Sequence, residues 1–289
     1  MDTASRTKGV LVLGATGKQG GAAARKLRAK GWQVRALTRD INKREAQELR
    51  RQGINVVKGD FSDKDSLEKA VAGVYGVFAV TTGRDPTVEA QQGILMADVA
   101  KNAGVKHYVF TSANGAGVHS NMQPGKAKVQ EHLKTIGMPY TILAPVFFME
   151  NFNSQRPAIM YGMLMQGYAS DKKFQYVAVE DIGEFAALAL EQPEQFTGKL
   201  IDLASDKFTL THAAQTIGKV IGRPVKYIQE PIEQIRNRDA GSAQLIEWFN
   251  QVPYDIDIAG LRKIHPGMLT LEQWLVKNNW TDIAVKMPR

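Results

Sequence analysis

Short apolar runs alternate with helical patterns along the first half of the chain. Runs such as GVLVLG at 9–14 are bounded by glycine or polar turns, which is typical of buried strands. Strands are predicted at 9–14, 33–38, 54–59, 74–80, 106–112 and 140–145, with helices at 18–30, 42–52, 63–72, 87–103 and 125–137. This alternation predicts an α/β fold of the Rossmann type, a doubly wound parallel sheet with helices on both faces.

The regular alternation ends near residue 150. Strand-like runs follow at 174–179, 199–204 and 225–229, and helical patterns at 181–192, 209–221, 231–250 and 270–278. We therefore predict a Rossmann domain over 1–150 and a smaller α+β lobe over 151–289, packed on the first with some exchange of chain. A cleft between two such lobes is the expected ligand site.

Three glycines directly follow the first predicted strand with the spacing G-x-x-G-x-x-G. In a dinucleotide-binding loop one glycine serves the sharp turn, one the close approach to a pyrophosphate and one the packing of helix on sheet. The next helix then directs its N–H groups at the phosphates. The predicted phosphate-binding residues are Gly14, Thr16, Gly17, Lys18, Gln19 and Gly20. An ordinary glycine turn is the alternative.

The end of the second predicted strand bears on the choice of cofactor. A cation there accommodates the 2′-phosphate of NADP(H), whereas an acidic side chain binds the ribose 2′-hydroxyl of NAD(H). The sequence reads Arg39-Asp40, with Lys43 close by. The planar fork of Arg39 suits a phosphate, so we predict NADP(H). Asp40 leaves NAD(H) as the less favoured alternative.

Two further strand ends supply candidate residues. Asp60 and Phe61 follow the third strand, where Asp60 could accept from the adenine amino group and Phe61 could pack on the ring. Thr81 and Thr82 follow the fourth strand, where their hydroxyls could border the ribose and phosphates. Ordinary loop contacts are the alternative for all four.

Composition and charge exclude several classes of function. The net charge is +8, but residues 1–58 hold 14 Lys and Arg against 4 Asp and Glu, so the basic excess is local. We attribute it to an anionic cofactor and solvated helices and expect no specific nucleic-acid binding. The chain has no Cys, its five His lack metal-ligand spacing, and no apolar run suits a membrane, so we expect a cytoplasmic protein without a metal centre.

Several motifs together resemble the NmrA-like family of atypical short-chain dehydrogenase/reductases. They are GATGKQGG (14–21), LTRD (37–40), VVKGDFSD (56–63), YVFTS (108–112), GKAKVQEHL (125–133), GMPYTIL (137–143), FFMENF (147–152) and LTLEQWL (269–275). The resemblance spans essentially the whole chain. It implies a Rossmann domain with a smaller C-terminal lobe and NADP(H) bound across the switch point of the sheet.

The same resemblance marks Lys126, because ordinary members of the superfamily have a Tyr four residues before such a Lys. Met122 stands there instead, so the usual proton donor is missing. In isoflavone-reductase-like enzymes the Lys is the acid or base, and in redox-sensor members it is implied to contact the nicotinamide ribose. Lys126 is therefore a tentative catalytic residue as well as a cofactor-binding one. Phe148 could wall the nicotinamide and Asn151 could hydrogen-bond its amide or the substrate, although aromatic runs often serve the core.

Two functions remain open from the sequence. One is an NADPH-dependent reductase of a small carbonyl, quinone or conjugated compound, which we favour. The other is a non-enzymatic NADP(H) redox sensor that acts through a regulatory protein partner. The retained Lys126 permits the first, and Met122 in place of Tyr favours the second. Either protein would be a monomer or a homodimer.

Overall fold

The computed structural model describes residues 8–81, 85–116, 123–253 and 255–285. The chain forms two compact units. Unit 1 comprises Met1–Pro145 and Val179–Leu203, and unit 2 comprises Val146–Ala178 and Ala204–Arg289. The segment 179–203, which belongs to unit 1, lies in the half of the chain for which the sequence predicts a separate lobe.

Unit 1 is built on a seven-stranded parallel sheet. Its strands are β1 (Gly9–Val12), β2 (Gln33–Thr38), β3 (Asn55–Lys58), β4 (Gly76–Val80), β5 (His107–Thr111), β6 (Tyr140–Pro145) and β10 (Lys199–Leu203). Their order is β10-β6-β5-β4-β1-β2-β3, and every neighbouring pair is parallel. The order reverses between β1 and β4, which is the switch point of a doubly wound fold. The predicted Rossmann sheet is thus confirmed.

Helices connect these strands. They are α1 (Lys18–Ala29), α2 (Arg44–Arg51), α3 (Lys64–Val71), α4 (Pro86–Asn102), α5 (Pro124–Thr135), α7 (Val179–Glu191) and α8 (Pro193–Phe196). A hydrophobic core joins α3, α4 and α5 to one side of the sheet through residues such as Leu67, Met96 and Leu133. The intervening strand residues Val10 and Val12 are also fully buried. Burial on both faces explains the nearly continuous apolar strands.

The returning segment joins unit 1 because α7 packs on α1. A Cβ on Gly183 would lie 2.8 Å from the carbonyl carbon of Ala22, so only glycine allows this close helix crossing. Glu184 of α7 forms salt bridges with Lys26 and Lys30 of α1 at 2.9 and 2.8 Å. These contacts support the helix that follows the glycine loop.

Unit 2 contains two small sheets. A three-stranded sheet has the order β11-β9-β7 and a two-stranded sheet pairs β12 with β8; the strands are β7 (Phe147–Phe148), β8 (Met163–Gln166), β9 (Lys173–Val177), β11 (Asp206–Thr209) and β12 (Lys226–Gln229). The helices are α6 (Arg156–Met160), α9 (Leu210–Ile221), α10 (Ile232–Arg238), α11 (Ala240–Gln251), α12 (Ile258–Ile264) and α13 (Leu271–Lys277), with 3₁₀ helices at Met149–Gln155 and Trp280–Val285. This mixture is the smaller α+β part that the sequence predicts.

The helix ends of unit 2 follow simple capping chemistry. Thr270 caps α13 in a capping box with Gln273, as its sequence position indicates. The single helix predicted at 231–250 is wrong, because Asp239 interrupts it in an extended conformation. Its side chain accepts from the backbone N–H of Ser242 and starts α11, so a local hydrogen bond replaces continuous helix.

Candidate functional site

The glycine loop after β1 has the geometry of a phosphate-binding turn. Gly14 has φ +65°, a left-handed conformation that other residues rarely adopt, and its carbonyl accepts from the N–H of Gly17 at 2.9 Å. A Cβ on Gly20 would overlap that same carbonyl and lie 2.8 Å from the nitrogen of Ala15. A Cβ on Gly17 would approach only the Gly14 carbonyl, at 3.2 Å. The turn therefore needs Gly14 and Gly20 for its own shape.

The N-terminus of α1 opens directly from this loop. Gly17 is its N-cap, so no side chain caps the helix, and its first turn holds no acidic residue. The partial positive charge of the helix end is therefore not offset by a local carboxylate. Gln19, one residue into the helix, accepts a hydrogen bond from the Thr111 hydroxyl of β5 at 2.5 Å. This hydrogen bond fixes the start of α1 against the sheet, and the N-terminus of the helix remains suited to bind an anion.

A small cavity of about 110 Å³ adjoins the loop at the carboxyl ends of β1, β2 and β3. It is lined by Gly14, Thr16, Leu37, Thr38, Arg39, Asp40, Lys43, Gly59 and Phe61. Arg39 and Lys43 are exposed cations there. Asp40 uses one carboxylate oxygen to accept from the N–H of Asn42 at 2.8 Å, so it shapes its own turn. The structure therefore brings five predicted residues of the loop and the second and third strand ends to one cavity.

Asp60 lies outside this cavity and lines a larger one of about 790 Å³ instead. Arg39 and Gly59 border both. The Asp60 carboxylate accepts from the hydroxyl and the N–H of Ser62, at 2.6 and 2.8 Å. These hydrogen bonds, with a smaller effect from Arg39, lower the pKa of Asp60 below its ordinary value. Its predicted contact with adenine remains a prediction, and its observed role is to fix the turn after β3.

Phe61 is buried at 8% exposure and belongs to the core of unit 1. It also lines the small cavity, so the core and the candidate site share this ring. The predicted contact of Phe61 with the adenine ring stays a prediction, and its observed role is to pack in the core, which the sequence does not indicate.

Lys126 and Thr81 meet at the carboxyl end of β4. The Lys126 ammonium forms a salt bridge with Glu89 and donates to the Thr81 hydroxyl at 3.2 Å. The Thr81 hydroxyl donates in turn to Oε1 of Glu89 at 2.8 Å. The structure thus connects two predicted residues through a third that sequence reasoning missed. Thr82 and Met122 lie outside the described residues.

A signal for Glu89 does exist in the sequence. On α4 it falls in the buried stripe that continues through Gly93, Met96 and Ala100. A charged residue in such a stripe requires a buried partner. That pattern marks Glu89, although only the fold reveals which cation it meets.

Other polar residues past β5 are held by internal hydrogen bonds. Ser112 is buried and accepts from the Gln130 amide of α5 at 2.6 Å. Asn114 donates to Asp202 of β10 at 2.7 Å. Ser112 and Gln130 fix α5 one turn beyond Lys126 rather than face an open site.

Phe148 and Asn151 belong to unit 2. Phe148 is half-buried in β7 and Asn151 is exposed in the following 3₁₀ helix. Their neighbour Phe147 packs within an aromatic cluster, with ring centres 4.5 Å from Phe249 and 5.5 Å from Tyr176. The predicted nicotinamide contacts of Phe148 and Asn151 stay predictions.

Two kinds of feature are absent from the described ranges. No helix in them has both the length and the apolar character that crossing a bilayer demands. No cluster of three or more His, Asp or Glu side chains in those ranges is arranged to share a metal ion.

The fold and the loop define a Rossmann-type nucleotide-binding class, and comparison with known proteins narrows it. The model of the NmrA-like family matches residues 6–275, so the chain belongs to the NmrA-like family. The resemblance seen in the sequence is thereby confirmed.

Two curated relatives cover most of the chain. An NmrA-like family domain-containing protein of Dictyostelium discoideum is 27% identical over 95% of this chain and 99% of its own length. An NAD(P)H azoreductase of Xenophilus azovorans is 30% identical over 80% of each chain.

Solved structures share the fold. The triphenylmethane reductase of Citrobacter sp., complexed with NADP(H), has a TM-score of 0.80 at 22% identity and covers 96% of this chain and 99% of its own. NmrA, a negative transcriptional regulator in complex with NADP, has a TM-score of 0.77 at 19% identity, with 93% and 94% covered. At these identities the likeness concerns the fold alone.

Proposed function

We propose that the protein binds NADP(H) at the carboxyl edge of its parallel sheet and reduces a small carbonyl, quinone or conjugated compound. The observation that carries this proposal is the small cavity beside the glycine loop, with Arg39 and Lys43 at its border. Two cations next to an uncapped helix N-terminus suit a ligand that carries both a pyrophosphate and a separate phosphate.

The residues present fit such a ligand. In this proposal the start of α1, over Gly17 to Gly20, binds the pyrophosphate. Arg39 and Lys43 bind the 2′-phosphate, because an Arg offers paired donors to phosphate oxygens. Phe61 borders the adenosine portion. We propose Thr81 and Lys126 for the nicotinamide ribose, since they lie at the end of β4 across the switch point from the loop.

When bound, NADPH supplies a hydride to the substrate. The reduction also needs a proton, which Lys126 could deliver or which solvent could supply. For a carbonyl substrate, hydride on carbon and a proton on oxygen give an alcohol and NADP⁺, and the charges balance. The name of the 30% identical relative, an NAD(P)H azoreductase, supports a reductase of conjugated substrates.

Binding titrations with NADPH, NADP⁺, NADH and NAD⁺ test the cofactor. We expect NADPH to bind most tightly among the reduced forms. Oxidation of NADPH, followed by its absorbance, then screens quinones, aldehydes and azo compounds. Turnover of any of them supports the reductase, whereas absence of dinucleotide binding contradicts the whole proposal.

A redox sensor is the second candidate, and one observation favours it. Met122 stands where relatives with the ordinary proton donor have Tyr. Tight binding of a single redox state without turnover in the screen would select the sensor, which would then act through a protein partner. We place either protein in the cytoplasm, as a monomer or homodimer without specific affinity for nucleic acid.

A further inference from the structure

The salt bridge of Glu89 and Lys126 and their hydrogen bonds with Thr81 join three elements of unit 1. Glu89 lies in the first turn of α4, Lys126 in the first turn of α5, and Thr81 directly after β4. The side chains of Lys126 and Glu89 are only 18% and 10% exposed. Each of the three groups contacts the other two, so they form a closed triangle.

We propose that Glu89 is a positioning residue that holds the Lys126 ammonium in place for the dinucleotide. The inference rests on the proposed function and deepens it. A lysine ammonium has three N–H donors. Glu89 and Thr81 use two of them within the described residues, which leaves one for a ribose hydroxyl or a substrate oxygen.

Lysine needs such support more than a shorter side chain does. Its four-carbon stem is flexible, and many rotamers would place the charge elsewhere. The paired carboxylate and hydroxyl select one of them. Burial strengthens the selection, because an ion pair with little solvent contact is less screened than a surface pair.

The packing of α4 on α5 is an independent observation that points to the same contact. A Cβ on Gly125 would lie 2.7 Å from Oε2 of Glu89, so glycine makes room for the carboxylate. A Cβ on Gly93 would overlap the side chain of Val129. The two glycines let the helices approach closely enough for Glu89 to reach Lys126.

This arrangement gives the three defined residues of the G-K-x-x-V segment at 125–129, Gly125, Lys126 and Val129, a physical role. Gly125 admits the glutamate, Lys126 pairs with it, and Val129 fills the space at Gly93. The segment and the start of α4 therefore pack against each other as one group of contacts. Glu89 belongs to that group although it is 37 residues from Lys126 in the chain.

A double-mutant cycle with Glu89→Gln and Lys126→Met tests the proposal. Glu89→Gln keeps the shape and an acceptor for Thr81 but removes the charge. We measure NADPH affinity and thermal unfolding for both single variants and the double variant. We expect each single change to weaken NADPH binding about tenfold, and the double variant to be no weaker than Lys126→Met alone. Matched controls are Glu131→Gln and Lys128→Met, which remove the same charges from exposed positions of α5.

A purely structural role would lower the unfolding temperature of Glu89→Gln and leave its NADPH affinity at the wild-type value, which would overturn the inference. Additive losses in the double variant would overturn it too. Should Glu89→Gln fail to fold, Glu89→Asp retains the charge but shortens its reach, and the same loss of affinity is expected. Wild-type protein that binds no dinucleotide overturns the proposed function itself, and the inference with it.

Discussion

Two glycines at opposite edges of the seven-stranded sheet are needed for different physical reasons. At the amino edge, Gly104 precedes β5 with φ +73°, and within the described residues no atom lies within 4 Å of a Cβ placed there. At the carboxyl edge, Gly20 lies in α1, where a Cβ would overlap the Gly14 carbonyl. The first glycine is needed for its conformation and the second for its size. Gly104 thus allows the chain to turn after a helix at the amino edge, and Gly20 allows close backbone approach at the carboxyl edge.

The two edges also contain titratable side chains in different environments. The carboxyl edge presents Arg39 and Lys43 to solvent and holds the ion pair of Lys126 with Glu89. At the amino edge His107 is completely buried, and its Nε2 lies 2.8 Å from the Thr141 hydroxyl. Burial lowers the pKa of His107 to about 4. His107 is therefore a neutral buried side chain at neutral pH, whereas the cations named at the carboxyl edge are either exposed to solvent or paired with a carboxylate.

The largest expected effect is that of Gly20→Val. Its side chain would have to displace the backbone of Gly14 and Ala15, which a flexible neighbour cannot relieve. We expect a loss of at least about 3 kcal/mol in the free energy of unfolding, at the upper end for overpacking. Chemical denaturation measures it. Near wild-type stability would show that the loop has other conformations and would contradict the steric need for glycine at position 20.

The pH dependence of stability tests the amino edge. Because the pKa of His107 is about 4 in the folded protein against 6.5 as its ordinary value, the unfolded chain binds the proton first as pH falls. Stability is therefore full above pH 6.5 and declines toward pH 4. At 1.36 kcal/mol per pKa unit the decline is on the order of 3 kcal/mol.

Replacing the histidine isolates this contribution. His107→Gln keeps a hydrogen-bonding partner for Thr141 and should flatten the decline in this pH range. His212→Gln, at an exposed position, should leave the decline unchanged. An unaltered pH profile in His107→Gln would contradict the assignment.

Gly17→Val should separate folding from binding. A Cβ at Gly17 approaches only the Gly14 carbonyl, at 3.2 Å, so the variant is expected to fold. Its side chain would occupy the space that a pyrophosphate needs, and NADPH affinity should fall by about a hundredfold, or about 2.7 kcal/mol. Titration and thermal unfolding of the same sample measure both. Undiminished NADPH binding would argue against a phosphate-binding role for the loop.

The smallest expected effect is that of Gly104→Ala. The methyl group has space, but φ +73° is strained for any residue with a Cβ. We expect a loss of about 1–2 kcal/mol in stability. NADPH affinity should not change, because the turn lies at the opposite edge of the sheet. Reduced affinity without reduced stability would break the proposed separation of the two edges.

The sequence predicts the sheet well because each of its first six strands is a local signal. Buried parallel strands are nearly continuous apolar runs, and the first five are each followed by a helix. The sequence predicts a strand at β10 but does not indicate that it pairs with β6, because strand pairing depends on residues that are distant in the chain. Strand β11 and the break at Asp239 were missed because each depends on a few residues only.

The candidate site shows the same limit. The glycine spacing and the cation after β2 were visible because each lies within one short segment. The separation of Asp60 from the small cavity depends on Ser62 drawing its carboxylate into a turn. The contact of Glu89 with Lys126 depends on how α4 crosses α5, which no local pattern contains.

Arg39→Ala is the sharpest test of the proposal that the cavity after β2 binds the 2′-phosphate of NADP(H). Charge-assisted hydrogen bonds contribute about 1.5–3 kcal/mol, so NADPH affinity should fall roughly 10- to 100-fold. NADH affinity should barely change, and Arg51→Ala, an exposed position away from both cavities, should bind both cofactors as the wild type does. Equal losses for NADPH and NADH in Arg39→Ala, or no loss at all, would contradict the proposed 2′-phosphate site.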